Sequence, residues 1–302
     1  MIKITTELPN GRKEEYIFAD GINYSSKALN FLPKKDLEAH INDVKQLQVR
    51  DNDIYLATFM KSGTHWVWEI LVMLQRGNAE YETKTKEAAF LDFQSPEIVD
   101  TIPSPRVLNS HYPCKLTPTG IFQKKCKIVH VIRNPKDVFV SLFHHLSHHK
   151  EGSESESFEE FLPKLIGEYG LHFFYPWFQY VKEWERFSKE NPDDIINIYY
   201  EDLKEDTVRE IKKLDKFLGT NRSDDLIRNI ADACDFKKLK KADEEVKVQE
   251  AFTVAANKTN PIYRKGQVGD WKNHFTVAMN DKVDEWLANN FVDTDLKIRY
   301  TL

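Results

Sequence analysis

Lys61, Ser62, Gly63 and Thr64 follow one another between an apolar run that reads as a strand and a second that reads as a helix. A glycine in such a turn lets the backbone approach an anion. The N–H groups at the helix start point outward, and the helix dipole favours negative charge. Lys61 adds a full positive charge, and Ser62 and Thr64 add hydroxyl donors. The chemistry is that of a phosphate-binding turn, although not of a complete P-loop. The first glycine of G-x-x-x-x-G-K-[ST] is missing and the lysine precedes the glycine. The tetrapeptide also reads as an ordinary turn closed by a helix cap; its place after a strand and before an apolar helix favours the anion site. A second turn, Arg133-Asn-Pro-Lys136, begins with a side chain whose planar fork can give two parallel bonds to phosphate oxygens.

These turns need elements to hold them. Asp53–Phe59 is short, apolar and β-prone, so it reads as a buried strand, and Trp66–Arg76 reads as a helix with Gly77 as its stop. Lys127–Ile132 is a second buried strand, with Pro135 at the entry of a helix over Asp137–His149. Asp194–Tyr200 is a third, after which Glu201–Asp206 leads into a helix ending near Leu218 and Gly219. Strands alternating with helices predict an α/β fold: a single domain with a central parallel sheet flanked by helices and a P-loop-like phosphate turn. Such sheets bind ligands at the carboxyl ends of their strands, where both turns lie. Glu151–Ser157 and Lys237–Lys258 lack clean periodicity and are candidate mobile loops beside a site.

Met60-Lys-Ser-Gly-Thr-His-Trp66 resembles the first signature of the cytosolic sulfotransferases, usually Pro-Lys-Ser-Gly-Thr-Thr-Trp. Arg133-Asn-Pro-Lys-Asp-Val-Phe-Val-Ser141 resembles the second, and Tyr200-Glu-Asp-Leu-Lys-Glu-Asp206 a third. Arg264-Lys-Gly-Gln-Val-Gly-Asp-Trp-Lys-Asn-His274 is similar to the family's C-terminal Arg-Lys-Gly-x-x-Gly-Asp-Trp-Lys motif. The four motifs occur in the family's order, and the resemblance runs from about Gly21 to Arg299. It implies one sulfotransferase domain over residues 1–302. It also implies 3′-phosphoadenosine 5′-phosphosulfate as donor, adenosine 3′,5′-bisphosphate as product, and no metal.

The resemblance assigns roles. Lys61, Ser62, Gly63 and Thr64 would hold the 5′ phosphosulfate, and Arg133, Ser141, Arg264, Lys265 and Gly266 the 3′ phosphate. Trp66 and Phe236 would stack on the adenine, with Tyr200 and Cys234 at other nucleotide-contacting positions. His111 matches the catalytic histidine. Imidazole takes a proton near neutral pH, so it would act as general base on the acceptor, with Lys61 stabilising the leaving phosphate and Ser141 beside them. Tyr24, Phe90, Asn109, Phe143 and His145 are acceptor-pocket candidates, as is Phe93. The acceptor itself would be a small lipophilic phenol, steroid, alcohol or amine.

Three positions depart from the family pattern. Asn109 stands where many relatives carry lysine, so a charge beside the transferring group is missing or comes from elsewhere. His65 replaces the second threonine of the signature and could donate a ring N–H to phosphate. Met60 replaces proline. These leave open a non-catalytic nucleotide- or small-ligand-binding protein, and the phosphate turn alone leaves open a P-loop phosphotransferase. His144, His145, His148 and His149 have chelating spacing on a predicted helix, but no third ligand is evident and no metal is expected. Lys272–Asp281 resembles the family's short dimer motif, which implies a weak homodimer.

Composition agrees with this class. Lys and Arg number 43 against 48 Asp and Glu, a net charge of −5, which argues against nucleic acid or acidic membrane as the general partner. The 3 cysteines, Cys114, Cys126 and Cys234, are too few and scattered for a disulfide framework. Met1–Tyr16 has no apolar signal core, and the most apolar stretch, Trp66–Leu74, is short and contains Glu69. A cytoplasmic protein that does not span a membrane is expected.

Overall fold

The computed structural model describes residues 1–7, 11, 13–147, 156–170, 172–245 and 262–302. The chain opens with strands β1 (Ile2–Glu7), β2 (Lys13–Ala19) and β3 (Ile22–Ser25), paired antiparallel in that order. Nothing in the sequence reading announced this sheet, whose first strand has no buried residue. Helix α1 (Leu37–Lys45) follows, capped by the Asp36 carboxylate.

The central sheet begins with β4 (Ile54–Thr58), buried at every position as a strand covered on both faces must be. Successive side chains feed opposite layers. Tyr55 and Ala57 pack in one core with Leu108 and Ile128, while Ile54 and Leu56 pack in the other with Val107 and Val129. Helix α2 (Thr64–Arg76) starts two residues earlier than the apolar pattern suggested, because Gly63 takes the N-cap with φ +103°. The short helix α3 (Pro96–Asp100) leads to β5 (Val107–Ser110), a four-residue strand that sequence patterning did not reveal. Helix α4 (Thr119–Gln123) precedes β6 (Lys127–Ile132) and α5 (Pro135–Ser147). His148 and His149 of the predicted helix lie outside the described residues. The C-terminal half adds α6 (Phe158–Ile166), α7 (Trp177–Glu190), β7 (Ile195–Tyr199), α8 (Tyr200–Glu205), α9 (Thr207–Leu218) and α10 (Asp224–Ala233). Then come α11 (Phe236–Glu245) and α12 (Val277–Asn290).

The expected parallel sheet is present, in the order β5-β4-β6-β7. Its chain path leaves β4 for one side and returns to the other, so the switch point falls beside β4. The crevice outside its carboxyl end is where such sheets bind ligands. Two expectations need correction. Lys237–Glu245, read as part of an irregular loop, is helical and buries Leu239, Ala242 and Asp243; the remaining positions of that loop, 246–258, lie outside the described residues. Glu151–Ser157 is outside them except for Glu156 and Ser157, and Ser157 is the N-cap of α6.

Arg106 locks the entrance of the sheet. It is fully buried and grips the Asp53 carboxylate with two bonds, at 2.9 and 2.6 Å, while also donating to the Gln48 carbonyl at 2.9 Å. Replacing it with methionine strands a buried carboxylate. Arg106→Met is expected to lower stability by about 3–5 kcal/mol, read as a lower urea midpoint. An unchanged midpoint would mean that the pair does not hold β4 to β5.

Candidate active site

The crevice at the carboxyl end of β4 opens into a cavity of about 270 Å³. The turn after β4 forms one wall. Lys61 has φ +66° and Gly63 φ +103°, and a Cβ on Gly63 would meet Tyr200 at 2.8 Å, so only glycine keeps this turn against α8. The Thr58 and Thr64 hydroxyls bond at 2.7 Å and close its base. Lys61, Gly63, Thr64, His65 and Trp66 all line the cavity, whereas Ser62 is wholly buried behind the turn.

The other predicted donor residues converge from distant parts of the chain. Arg133 and Ser141 come from the start and flank of α5, Tyr200 from α8, and Cys234 and Phe236 from the α10–α11 junction. Arg264, Lys265 and Gly266 close the wall. Arg133 donates to the Lys61 carbonyl at 2.9 Å and to that of Gln267 at 3.3 Å, with its guanidinium 4.2 Å from the Tyr200 ring centre. Asp137 holds the 264–271 segment against α5 by accepting from the Gly269 and Trp271 backbone N–H groups at 2.8 and 2.9 Å. Asp270 takes Arg264 at 2.5 Å and Lys265 at 2.7 Å. Burial would raise its carboxyl, but bonds from Lys265, Asn273 and Arg264 hold it well below the usual range. Gly266 has φ +63°, and a Cβ there would come within 2.2 Å of the Phe236 ring.

His111 lies at the end of β5 on the same cavity. Its Nδ1 is 2.8 Å from the Thr58 carbonyl, which can only accept, so Nδ1 carries the hydrogen and Nε2 the lone pair. Burial, then the Lys86 charge, pushes its pKa well below the ordinary value, so the ring is a neutral base. The backbone N–H of His111 is held by Asp92 at 3.0 Å. Burial raises the Asp92 carboxyl to about 6 against its bonds from Ser110 and His111. Lys61 falls to about 7, through burial first and the nearby Arg133 and Lys86 charges next.

The acceptor candidates divide. Phe90 and His145 line the cavity, as does Phe93, and the Phe90 ring is 4.9 Å from that of His111. Tyr24, Asn109 and Phe143 are not in its wall. Tyr24 donates to Asp92 at 3.4 Å and packs on Phe93 and Phe174. Phe143 packs on Phe158 and Phe161 in the hydrophobic layer. Asn109 is fully buried, its amide donating to the carbonyls of Lys86 at 2.9 Å and Ala89 at 3.1 Å. Their facing depends on packing that residue type does not reveal.

Lys86 and Glu87, which sequence reasoning missed, both line the cavity. The His65 ring meets Glu87 at 2.9 Å, so it faces a carboxylate; burial lowers its pKa to about 4 and leaves Nε2–H to donate. Burial would raise Glu87, but the Lys86 charge and the His65 bond hold it well below the carboxylate range. The only hint in the sequence was the apolar run that begins just after this charged pair.

Residues 51–295 match the sulfotransferase domain family. The chain belongs to this family. It is 34% identical to bovine sulfotransferase 1E1 over 280 residues, covering 88% of this chain and 92% of that protein. It is 34% identical to mouse sulfotransferase 1 family member D1 over 273 residues, covering 86% and 90%. The mouse sulfotransferase SULT7A1 complexed with PAP superposes with a TM-score of 0.72 at 26% identity, over 93% of this chain and 95% of that one. Membership makes the chain a sulfuryl-transfer enzyme. Among the described residues no group of His, Cys, Asp and Glu could hold a metal ion, and no helix is long and apolar enough to cross a membrane.

The Gly266 contact has a matched control in Gly219, which has φ +67° and nothing within 4 Å of an added Cβ. Gly219→Ala is expected to lose about 1–2 kcal/mol to the left-handed backbone alone. Gly266→Ala should melt at a lower temperature than Gly219→Ala, because Phe236 must also move. Equal melting temperatures would mean that the ring does not depend on this glycine.

Proposed function

We propose that the chain transfers the sulfuryl group of 3′-phosphoadenosine 5′-phosphosulfate to a hydroxyl or amine of a small lipophilic acceptor, with His111 as base. The observation that carries this reading is the pairing in one cavity of a neutral His111, its lone pair on Nε2, with the cations of the phosphate turn. The residues suit the donor. Arg133 Nε and Trp66 Nε1, both on cavity-lining residues, are buried without a hydrogen-bond partner among the described residues, and an anionic nucleotide gives such donors partners. Burial and the neighbouring Arg133 and Lys86 charges lower the Lys61 pKa, and a bound anionic group would offset both.

The donor supplies a sulfuryl group on a phosphate leaving group. Lys61 and the turn's N–H groups hold the 5′ end, and Arg133, Ser141, Arg264, Lys265 and Gly266 the 3′ phosphate. Trp66 and Phe236 stack on the base, and Tyr200 and Cys234 contact the nucleotide; all four residues line the cavity. The acceptor oxygen forms its bond to sulfur as the bond from sulfur to the phosphate oxygen breaks, and the electron pair leaves on the phosphate. The acceptor proton goes to His111 Nε2. Met60, Phe90, Phe93 and Leu142 give the acceptor end an apolar lining. We also propose that residues 1–302 act as one catalytic unit and form a weak dimer through Lys272–Asp281, where Val277 is 79% exposed at the head of α12.

His111→Ala is expected to lose transfer to 1-naphthol by roughly 10²–10⁴-fold. Its affinity for adenosine 3′,5′-bisphosphate should stay within about threefold, by calorimetry; full turnover would remove His111 as base. ATP binding more tightly than the bisphosphate would favour a phosphotransferase instead. Bound phosphate raises the Lys61 pKa above its free value of about 7, so binding takes up protons. Affinity should therefore fall as pH rises from 7 to 9. Titration in buffers of different ionisation enthalpy should show net uptake that Lys61→Ala lacks. Proton-neutral binding by the unsubstituted protein would contradict the low Lys61 value.

A further inference from the structure

We propose that Lys86 is a second catalytic lysine of this enzyme, placed on the acceptor side of the transferring sulfuryl group and held there by Asn109. The inference rests on the sulfuryl-transfer reading above. Lys86 is only 3% exposed, yet it lines the reaction cavity with His111 and Lys61. A lysine that deep in a wall is uncommon unless a partner or a ligand requires it.

The anchoring is local and specific. The Leu91 backbone N–H donates to the Asn109 carbonyl at 2.9 Å, and a Phe90–Asn109 bridge lays the 86–91 segment alongside β5. The Asn109 side chain completes the clamp. Its amide nitrogen takes the Lys86 and Ala89 carbonyls, and its oxygen accepts from Lys86 Nζ at 3.3 Å. Glu87 lies 3.4 Å from the same ammonium, and the Phe90 ring centre 3.7 Å from it. Phe90 in turn packs edge-on to His111. One neutral oxygen and one carboxylate already shared with His65 do not use all the donors of an ammonium.

The consequence follows from charge. In the transfer step the sulfuryl oxygens carry negative charge between the attacking acceptor oxygen and the departing phosphate. Lys61 serves the departing side. Lys86 stabilises the sulfuryl oxygens and the acceptor oxygen from the other, and keeps its own protons throughout, so the balance of the step is unchanged. Around His111 stand Lys61, His65, Lys86 and Asp92.

Lys86→Met and Lys86→Gln test this, the glutamine variant retaining a donor to Asn109 without the charge. With 1-naphthol and 3′-phosphoadenosine 5′-phosphosulfate, both should lose about 10²–10³-fold in kcat. Bisphosphate affinity should stay within about threefold. Without the Lys86 charge the acid limb of kcat/KM should move to higher pH. Unchanged kcat in Lys86→Gln would overturn the proposal even if Lys86→Met fails to fold. Equal losses in bisphosphate affinity and turnover would also overturn it, by making Lys86 a donor-binding or structural residue. An unsubstituted protein that binds bisphosphate but turns over no acceptor would sink the functional reading and this role together. An active unsubstituted protein with active variants sinks this role alone.

Discussion

Lys61, Lys86, Arg133, Arg264 and Lys265 all line one cavity, and mutual repulsion of these cations is the constraint that the surrounding structure answers. Each is handled differently. Arg264 and Lys265 share Asp270, Lys86 borrows Glu87, and Arg133 spends its donors on backbone carbonyls while resting on the Tyr200 ring. Lys61 has no bonded carboxylate partner among the described residues, and burial together with the Arg133 and Lys86 charges leaves its proton loosely held. Lys61 at the phosphate turn, and Lys204 over the Trp66 ring, thus face the cavity without an ion pair among the described residues, where an anionic ligand would bring the missing charge. The positioning carboxylates matter as much as the cations. Asp137 never reaches the cavity wall, but it fixes the turn at Gly269 and Trp271 on which Arg264 and Lys265 depend.

The same electrostatics act on His111, the proposed base. His111 faces a backbone carbonyl through Nδ1 and lies in the field of Lys86 and Lys61. Asp92 is close, yet it bonds to the His111 backbone and not to the ring. Burial first, and then the charges gathered for an anion, keep the imidazole neutral. Binding and base chemistry draw on one arrangement, and each change to the cation set alters both.

What the sequence could show followed from how local each feature is. The phosphate turn, Arg133 and the strands around them were readable because strand, turn and helix lie within about twenty residues, and residue type there limits the chemistry. Arg264–Gly266 needed the family resemblance, since nothing in their local pattern says that they close a cavity begun at Lys61. The β1–β3 sheet escaped notice because its outer strand is exposed and its second strand starts with charged residues. The resemblance made Tyr24 and Phe143 pocket candidates, but packing turns both into one hydrophobic core. Lys86 carries no mark of its function in sequence. Its place depends on a bridge between residues 90 and 109, a non-local register that only the folded sheet defines.

That register also explains why the unusual residues at 65 and 109 belong together. Seen singly, His65 loses a hydroxyl and Asn109 loses a charge. In the fold they meet consecutive residues: Glu87 accepts from His65, and Asn109 accepts from Lys86. The Lys86–Glu87 contact joins the two into one buried network running from the phosphate turn to the end of β5. A lysine at 109 would set a second ammonium against Lys86, and a threonine at 65 would leave Glu87 without its ring partner. A return at 109 alone would crowd two ammonium groups, and one at 65 alone would remove one of the bonds to the buried Glu87. The departures are thus one coherent alternative, in which the charge missing from β5 is supplied by the segment laid beside it.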